Sequence, residues 1–159
     1  VSELPPLEDL STDDVAYVRA MLGFAETGSM FQGRYVEAHV ARVLGAQLPV
    51  VGISTWDLFL PGQHDLRIEV KSTGPGGSFA VGAFKKQVEL WIFVTYEHAM
   101  KSRRPHDFRY AVATPSKLTA IAKGRKSITA AELFSKLGVL PNASALQSSV
   151  KTYQTDHFH

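Results

Sequence analysis

The chain has no cysteine. That excludes a disulfide framework, a thiolate metal site and a thiol nucleophile, and it fits a reducing compartment. No apolar run nears the roughly 18 residues that a membrane-spanning helix needs, so no membrane association is expected. The opening segment, Val1 to Leu10, is acidic and carries two prolines. With no basic stretch followed by an apolar one, it does not read as a signal peptide, and a cytoplasmic protein is the expectation. The patterns G-x-x-x-x-G-K-[ST], H-E-x-x-H and G-x-S-x-G are also missing. A P-loop nucleotide triphosphatase, a zinc protease and a serine hydrolase therefore lack their defining residues.

What is present is an ordinary globular composition. In 159 residues, 45% are hydrophobic and 20% charged, which suits a single domain over 1–159. The net charge of +2 conceals an asymmetry: residues 1–70 hold 4 Lys/Arg against 10 Asp/Glu, and residues 71–159 hold 13 against 5. A basic half is suited to neutralising a phosphate backbone, and a solvated surface is the alternative.

Periodicity predicts a short helix opened by Ser11 to Asp14 and ended by Gly23, then a second helix from Ser29 to Leu44 stopped by Gly45. From Val50 the pattern changes to strand, running through Asp57 to Leu60. Pro61 to Asp65 form a turn, and Leu66 to Lys71 a strand of alternating character. Further strands are expected at Ser78–Val81, at the almost continuously apolar Leu90–Tyr96, and at Phe108–Ala113. Helices follow from Pro115 to about Ala122 and from Ala130 to Leu137, with a brief extended piece at Ile128. The polar tail from Asn142 carries no clear pattern. The expectation is an α/β protein with a mixed β-sheet flanked by helices, its core at about 29–122 and a C-terminal helical extension at 123–159.

The hairpin from Trp56 to Lys71 is the most informative segment. A turn centred on Gln63 places Leu58 across from Ile68 and Asp57 across from Glu69. One face then presents Leu58, Leu60, Leu66, Ile68 and Val70, and the other presents Asp57, Phe59, Arg67, Glu69 and Lys71. Carboxylates directly opposed in this way repel unless a cation lies between them. Two such groups with room for water suit Mg²⁺, with Mn²⁺ a usable substitute, and an adjacent lysine can serve an attacking water and a phosphate. A solvated strand face with an ion-pair cluster is the alternative.

The series Gly33-Arg34-Tyr35-Val36-Glu37 on a helix, Trp56-Asp57, and Glu69-Val70-Lys71-Ser72-Thr73 resembles the PD-(D/E)xK, or restriction-endonuclease-like, nuclease superfamily. The resemblance spans roughly Phe31 to Thr114. It implies a core of a helix, a strand hairpin, a further helix and another strand. By position it implies Asp57 and Glu69 as metal ligands, the Val70 carbonyl as an extra ligand, Lys71 beside the attacking water, and Glu37 as an accessory catalytic or metal ligand. Trp56 stands where the motif's name has proline. The stretch between Lys71 and Leu90 is short and glycine-rich where the family's central helix would lie.

The implied activity is Mg²⁺-dependent cleavage of DNA, double-stranded in preference, with a homodimer suited to cutting both strands. A non-catalytic nucleic-acid-binding or assembly module on the same fold is the alternative. Lys85, Lys86 and Gln87 are candidates for phosphate or water contacts; Arg103, Arg104, Arg125 and Lys126 are candidates for the DNA backbone. Solvated surface positions are the equal alternative for all seven. His39, one turn beyond Tyr35, is expected to be half-buried.

Overall fold

Helix α1 (Ser29–Leu44) buries Val36, Val40 and Val43 on one side. It ends where Gly45 turns left-handed at φ 70 and the Ala46 N–H reaches back to the Ala41 carbonyl at 2.9 Å. Glycine suits that position because it has no Cβ to clash. The computed structural model describes residues 29–48, 56–74, 76–81, 88–96 and 108–155. The helix expected at 11–23, the strand residues 50–55 and the basic loop 101–107 lie outside these.

Strands β1 (Leu58–Leu60) and β2 (Leu66–Thr73) form the antiparallel hairpin, with Leu58 opposite Ile68 and Leu60 opposite Leu66. This is the expected register. After β2 the chain crosses through the short strand β3 (Ser78–Ala80) and returns as β4 (Leu90–Tyr96), parallel to β2. Parallel pairing requires a long crossover rather than a tight turn. Strand β5 (Phe108–Ala113) is antiparallel to β4. The main sheet therefore has the order β1-β2-β4-β5 and is mixed.

Helix α2 (Pro115–Ala122) starts at Thr114, whose side chain accepts the Lys117 N–H, with Pro115 in its first turn. Strand β6 (Ser127–Thr129) pairs with β3 in a separate two-stranded sheet. Thr129 then caps helix α3 (Ala130–Leu137) by accepting the Glu132 N–H. The polar tail folds as helix α4 (Ala143–Thr155), although its residues show no clear periodicity.

The sheet separates two cores. Beneath α1 and α4 lie Leu58, Leu66, Ile68, Leu90, Ile92, Val94, Phe108 and Tyr110, packed with Leu146 and Val150 of α4. On the opposite side Trp91, Phe93, Ala111 and Ala113 pack with Phe79, Leu118, Ile128, Leu133 and Phe134 from β3, α2, β6 and α3. Strand β4 alternates between these cores, which is why its sequence is apolar at nearly every position. Each large side chain fully buried in this way stabilises the fold by about 1.5–3 kcal/mol. The architecture is mixed α/β, with a mixed sheet flanked by helices.

Candidate active site

The hairpin faces divide as the alternation requires. Leu58, Leu60, Leu66, Ile68 and Val70 are all buried in the first core. Asp57, Phe59, Arg67, Glu69 and Lys71 are left to the side of the second core. Glu69 is only 2% exposed and stands beside Trp91 of β4 in the parallel ladder. A charged residue so deeply buried requires partners. One is Lys71, whose Nζ lies 3.5 Å from Glu69 Oε2.

Asp57 departs from the regular ladder. One residue beyond the Leu58–Ile68 pair, the Asp57 N–H donates to the Ile68 carbonyl at 2.9 Å. Its side-chain Oδ2 accepts the Val70 N–H, also at 2.9 Å. The carboxyl thus replaces a backbone acceptor where the strand pairing ends, which fixes its position. Its proximity to Glu69 is close enough for a carboxyl–carboxyl hydrogen bond. Such a bond needs a proton on one of the two acids.

Burial, followed by the charges of Glu37 and Glu69, pushes the Asp57 carboxyl from its ordinary value up to about 8, against the lowering effect of the Val70 N–H. Crowded carboxylates in low dielectric behave in this way, because only one can lose its proton cheaply. Helix α1 brings the half-buried Glu37 near enough for its charge to reach Asp57.

The structure thus gathers Asp57, Glu69, Val70 and Lys71, with Glu37 contributing from α1. Among the described residues, no group of three or more acidic, imidazole or thiol side chains is placed to hold a metal ion. The donor set is a two-carboxylate one with Glu37 outside it. It fits Mg²⁺, which keeps several waters and takes one or two carboxylates. A divalent cation held there would displace the proton that burial and crowding favour on Asp57.

The other candidates are separate from this centre. Arg125 and Lys126 lie in the turn between α2 and β6. The Arg125 guanidinium is held by Glu132 at 2.8 Å and by the Ala122 and Ile121 carbonyls, each at 3.1 Å. It thereby closes the C-terminus of α2, the end where a cation suits the helix dipole. Lys126 is exposed. Lys85, Lys86, Gln87, Arg103 and Arg104 lie outside the described residues. Arg67, on the same face as the acids, is gripped by Glu89 at the start of β4.

His39 is 1% exposed rather than half-buried, because α1 packs it against Phe108 and Tyr110 of β5. Its Nε2 lies 2.7 Å from the Tyr110 hydroxyl. Helical spacing in the sequence shows which side of α1 faces the core, but not which strand residue meets it.

No helix among the described residues is long and apolar enough to cross a membrane. No protein-family model matches the chain, and no curated protein matches it.

Proposed function

We propose that this chain is a Mg²⁺-dependent endonuclease of the restriction-endonuclease-like type, hydrolysing phosphodiester bonds of DNA. The observation that carries the reading is the pairing of the half-buried Asp57 carboxyl with the buried Glu69 carboxyl, with the Lys71 ammonium 3.5 Å from Glu69. Like charges are costly at such a place, and a divalent cation is the partner that removes the cost. The element order supports the reading in part: a helix bearing Glu37 precedes a hairpin bearing the acids, and the chain crosses to a buried strand parallel to β2, with the short strand β3 and no helix among the described residues of that crossover.

In this reading Asp57, Glu69 and the Val70 carbonyl would hold the ion, with Glu37 as an accessory metal or water ligand. When bound, such an ion would supply Lewis acidity and favour deprotonation of the attacking water. Lys71 holds the attacking water or stabilises charge gathering on the phosphate. The basic C-terminal half supports a polyanionic partner: residues 108–155 carry seven Lys/Arg and one carboxylate, Glu132. Double-stranded DNA is the favoured substrate, and a homodimer places two such centres on the two strands. We place this activity in the cytoplasm, in restriction, repair or defence.

Nicking of supercoiled plasmid with Mg²⁺ or Mn²⁺ tests the reading. Wild type cuts, while Glu69→Ala and Lys71→Met, each checked for folding by its melting curve, lose about 100-fold or more of the rate. Cleavage that survives Glu69→Ala removes the proposed centre. Salt-dependent DNA binding without cleavage by wild type replaces the enzyme with a non-catalytic binding module.

A further inference from the structure

Two aromatic rings beside the carboxyl pair are left without a place in the hydrolytic reading. Trp56 immediately precedes Asp57, and Phe59, paired with Arg67, lies on the hairpin face that also carries Glu69, because Leu58, Leu60 and Ile68 point into the first core. The rings lie 5.7 Å apart, centroid to centroid, tilted by 42°. Other aromatic residues on this side of the sheet, Phe79, Trp91, Phe93 and Phe134, are buried in the second core. Trp56 and Phe59 are only half-buried, with Trp56 leaning on the rim of that core.

The position of Phe59 is fixed from both sides. Its backbone exchanges hydrogen bonds with Gln47, at 2.7 and 2.9 Å, and its other neighbour in the sheet is Arg67. Arg67 in turn is held by Glu89. A rigid aromatic surface therefore adjoins the carboxyls that would hold the metal and the phosphate.

We propose that Trp56 and Phe59 form a stacking platform for one unpaired base next to the cleaved phosphate. The preferred substrate is then duplex DNA interrupted by an unpaired nucleotide, such as a bulge or flap, rather than continuous duplex. The inference rests on the reading of Asp57 and Glu69 as a site for DNA. Every nucleobase has a π-face that an aromatic side chain can cover, whatever the sequence. In continuous duplex both faces are already stacked, and extrusion costs free energy that an unpaired base does not spend. A docked apolar peptide is a poorer occupant, because the platform abuts two carboxyls and a lysine.

The test uses the full chain with Ca²⁺ in place of Mg²⁺ to prevent turnover. Two duplexes are compared, identical except that one carries an unpaired 2-aminopurine and the other pairs it. Wild type binds the interrupted duplex about tenfold more tightly and quenches its fluorescence. Phe59→Leu and Trp56→Leu, which keep apolar bulk but lose the rings, lose most of that preference and of the quenching. Phe59→Tyr and Trp56→Phe retain both. Equal affinity of wild type for the two duplexes overturns the platform, as does a preference that survives in both leucine variants. A Mg²⁺ cleavage arm separates this outcome from the parent reading. Cleavage without preference or quenching removes the platform and keeps the nuclease. Preference and quenching without cleavage keep the platform and remove the hydrolase.

Discussion

Asp57 meets Glu69 carboxyl to carboxyl while its Oδ2 takes the Val70 N–H at 2.9 Å. The two contacts make opposite demands, since the N–H favours the ionised acid and Glu69 favours the protonated one. Burial decides, with Asp57 pushed up to about 8 from an ordinary 3.8. Between those values the folded metal-free protein keeps a proton that the unfolded chain releases. The corresponding stability is fully present below the lower value and is lost as pH rises through the upper one. Asp57→Asn keeps an acceptor for Val70 and removes the titration. Without divalent ions, the variant should melt a few degrees above wild type at pH 8, and the difference should shrink toward pH 5. About 2–4 °C per kcal/mol is the scale for a domain of this size. Scanning calorimetry at both pH values checks this, and a difference independent of pH places the proton elsewhere.

Arg125 and Lys126 are neighbours in sequence with different duties. The Arg125 guanidinium is occupied by Glu132 and by the last carbonyls of α2, while Lys126 is exposed. If this turn contacts DNA, the exposed Lys126 ammonium is the group that does so. Lys126→Ala should weaken DNA binding about equally across sequences and reduce the slope of log affinity against log salt by about 1. Arg125→Ala should instead lower the melting temperature. Fluorescence anisotropy over a salt series, paired with melting curves, distinguishes the two. A larger loss of salt slope in Arg125→Ala than in Lys126→Ala reverses the assignment.

Much of this arrangement is visible in the residue pattern, and the parts that are not have identifiable causes. The hairpin register follows from Leu58, Leu60, Leu66, Ile68 and Val70, because any one-residue slip would expose that whole set. The continuous apolar run of β4 announces a strand between two cores. Helix α4 left no such trace. It buries only Leu146 and Val150 fully, and it is held by long-range amide contacts, Gln147 Nε2 to the Val43 carbonyl at 2.6 Å and Gln154 Nε2 to the His64 carbonyl at 3.2 Å. Glutamine has no periodicity that reveals such a contact. The site was legible as a set of charges on one strand face. Its detail was not, because Asp57 leaves the ladder to bind Val70 through its side chain, and alternation assumes that the ladder continues.

Gly77 is constrained by a close approach. A Cβ placed there would lie 2.0 Å from Thr73 Oγ1 and 3.1 Å from the Gly74 carbonyl oxygen. The Gly77 carbonyl also accepts the Ala130 N–H at 3.0 Å, tying the turn after β2 to the start of α3. Gly77→Ala must displace Thr73 at the end of the site-bearing strand. The expected cost is about 1–3 kcal/mol, the usual range for overpacking. Urea unfolding measures it, and Thr73→Ala combined with Gly77→Ala should recover part of the loss. A Gly77→Ala protein as stable as wild type shows that Thr73 can move freely.

His39 supplies a second pH dependence, with the opposite sign to that of Asp57. Burial, then the charge of Arg42, lowers its pKa to about 4 from 6.5. The folded protein therefore holds His39 neutral in a range where the unfolded chain takes up a proton. Its contribution to stability is complete above 6.5 and is lost as pH falls toward 4. Tyr110→Phe removes the hydroxyl 2.7 Å from His39 Nε2 while keeping the ring and should cost about 1 kcal/mol at pH 7. His39→Leu combined with Tyr110→Phe replaces both polar partners with apolar groups, which is often nearly neutral. That double variant should lose less stability than wild type between pH 6.5 and pH 4, as measured by urea unfolding at each pH. An identical acid decline in the two proteins would assign the effect to carboxylates rather than to His39.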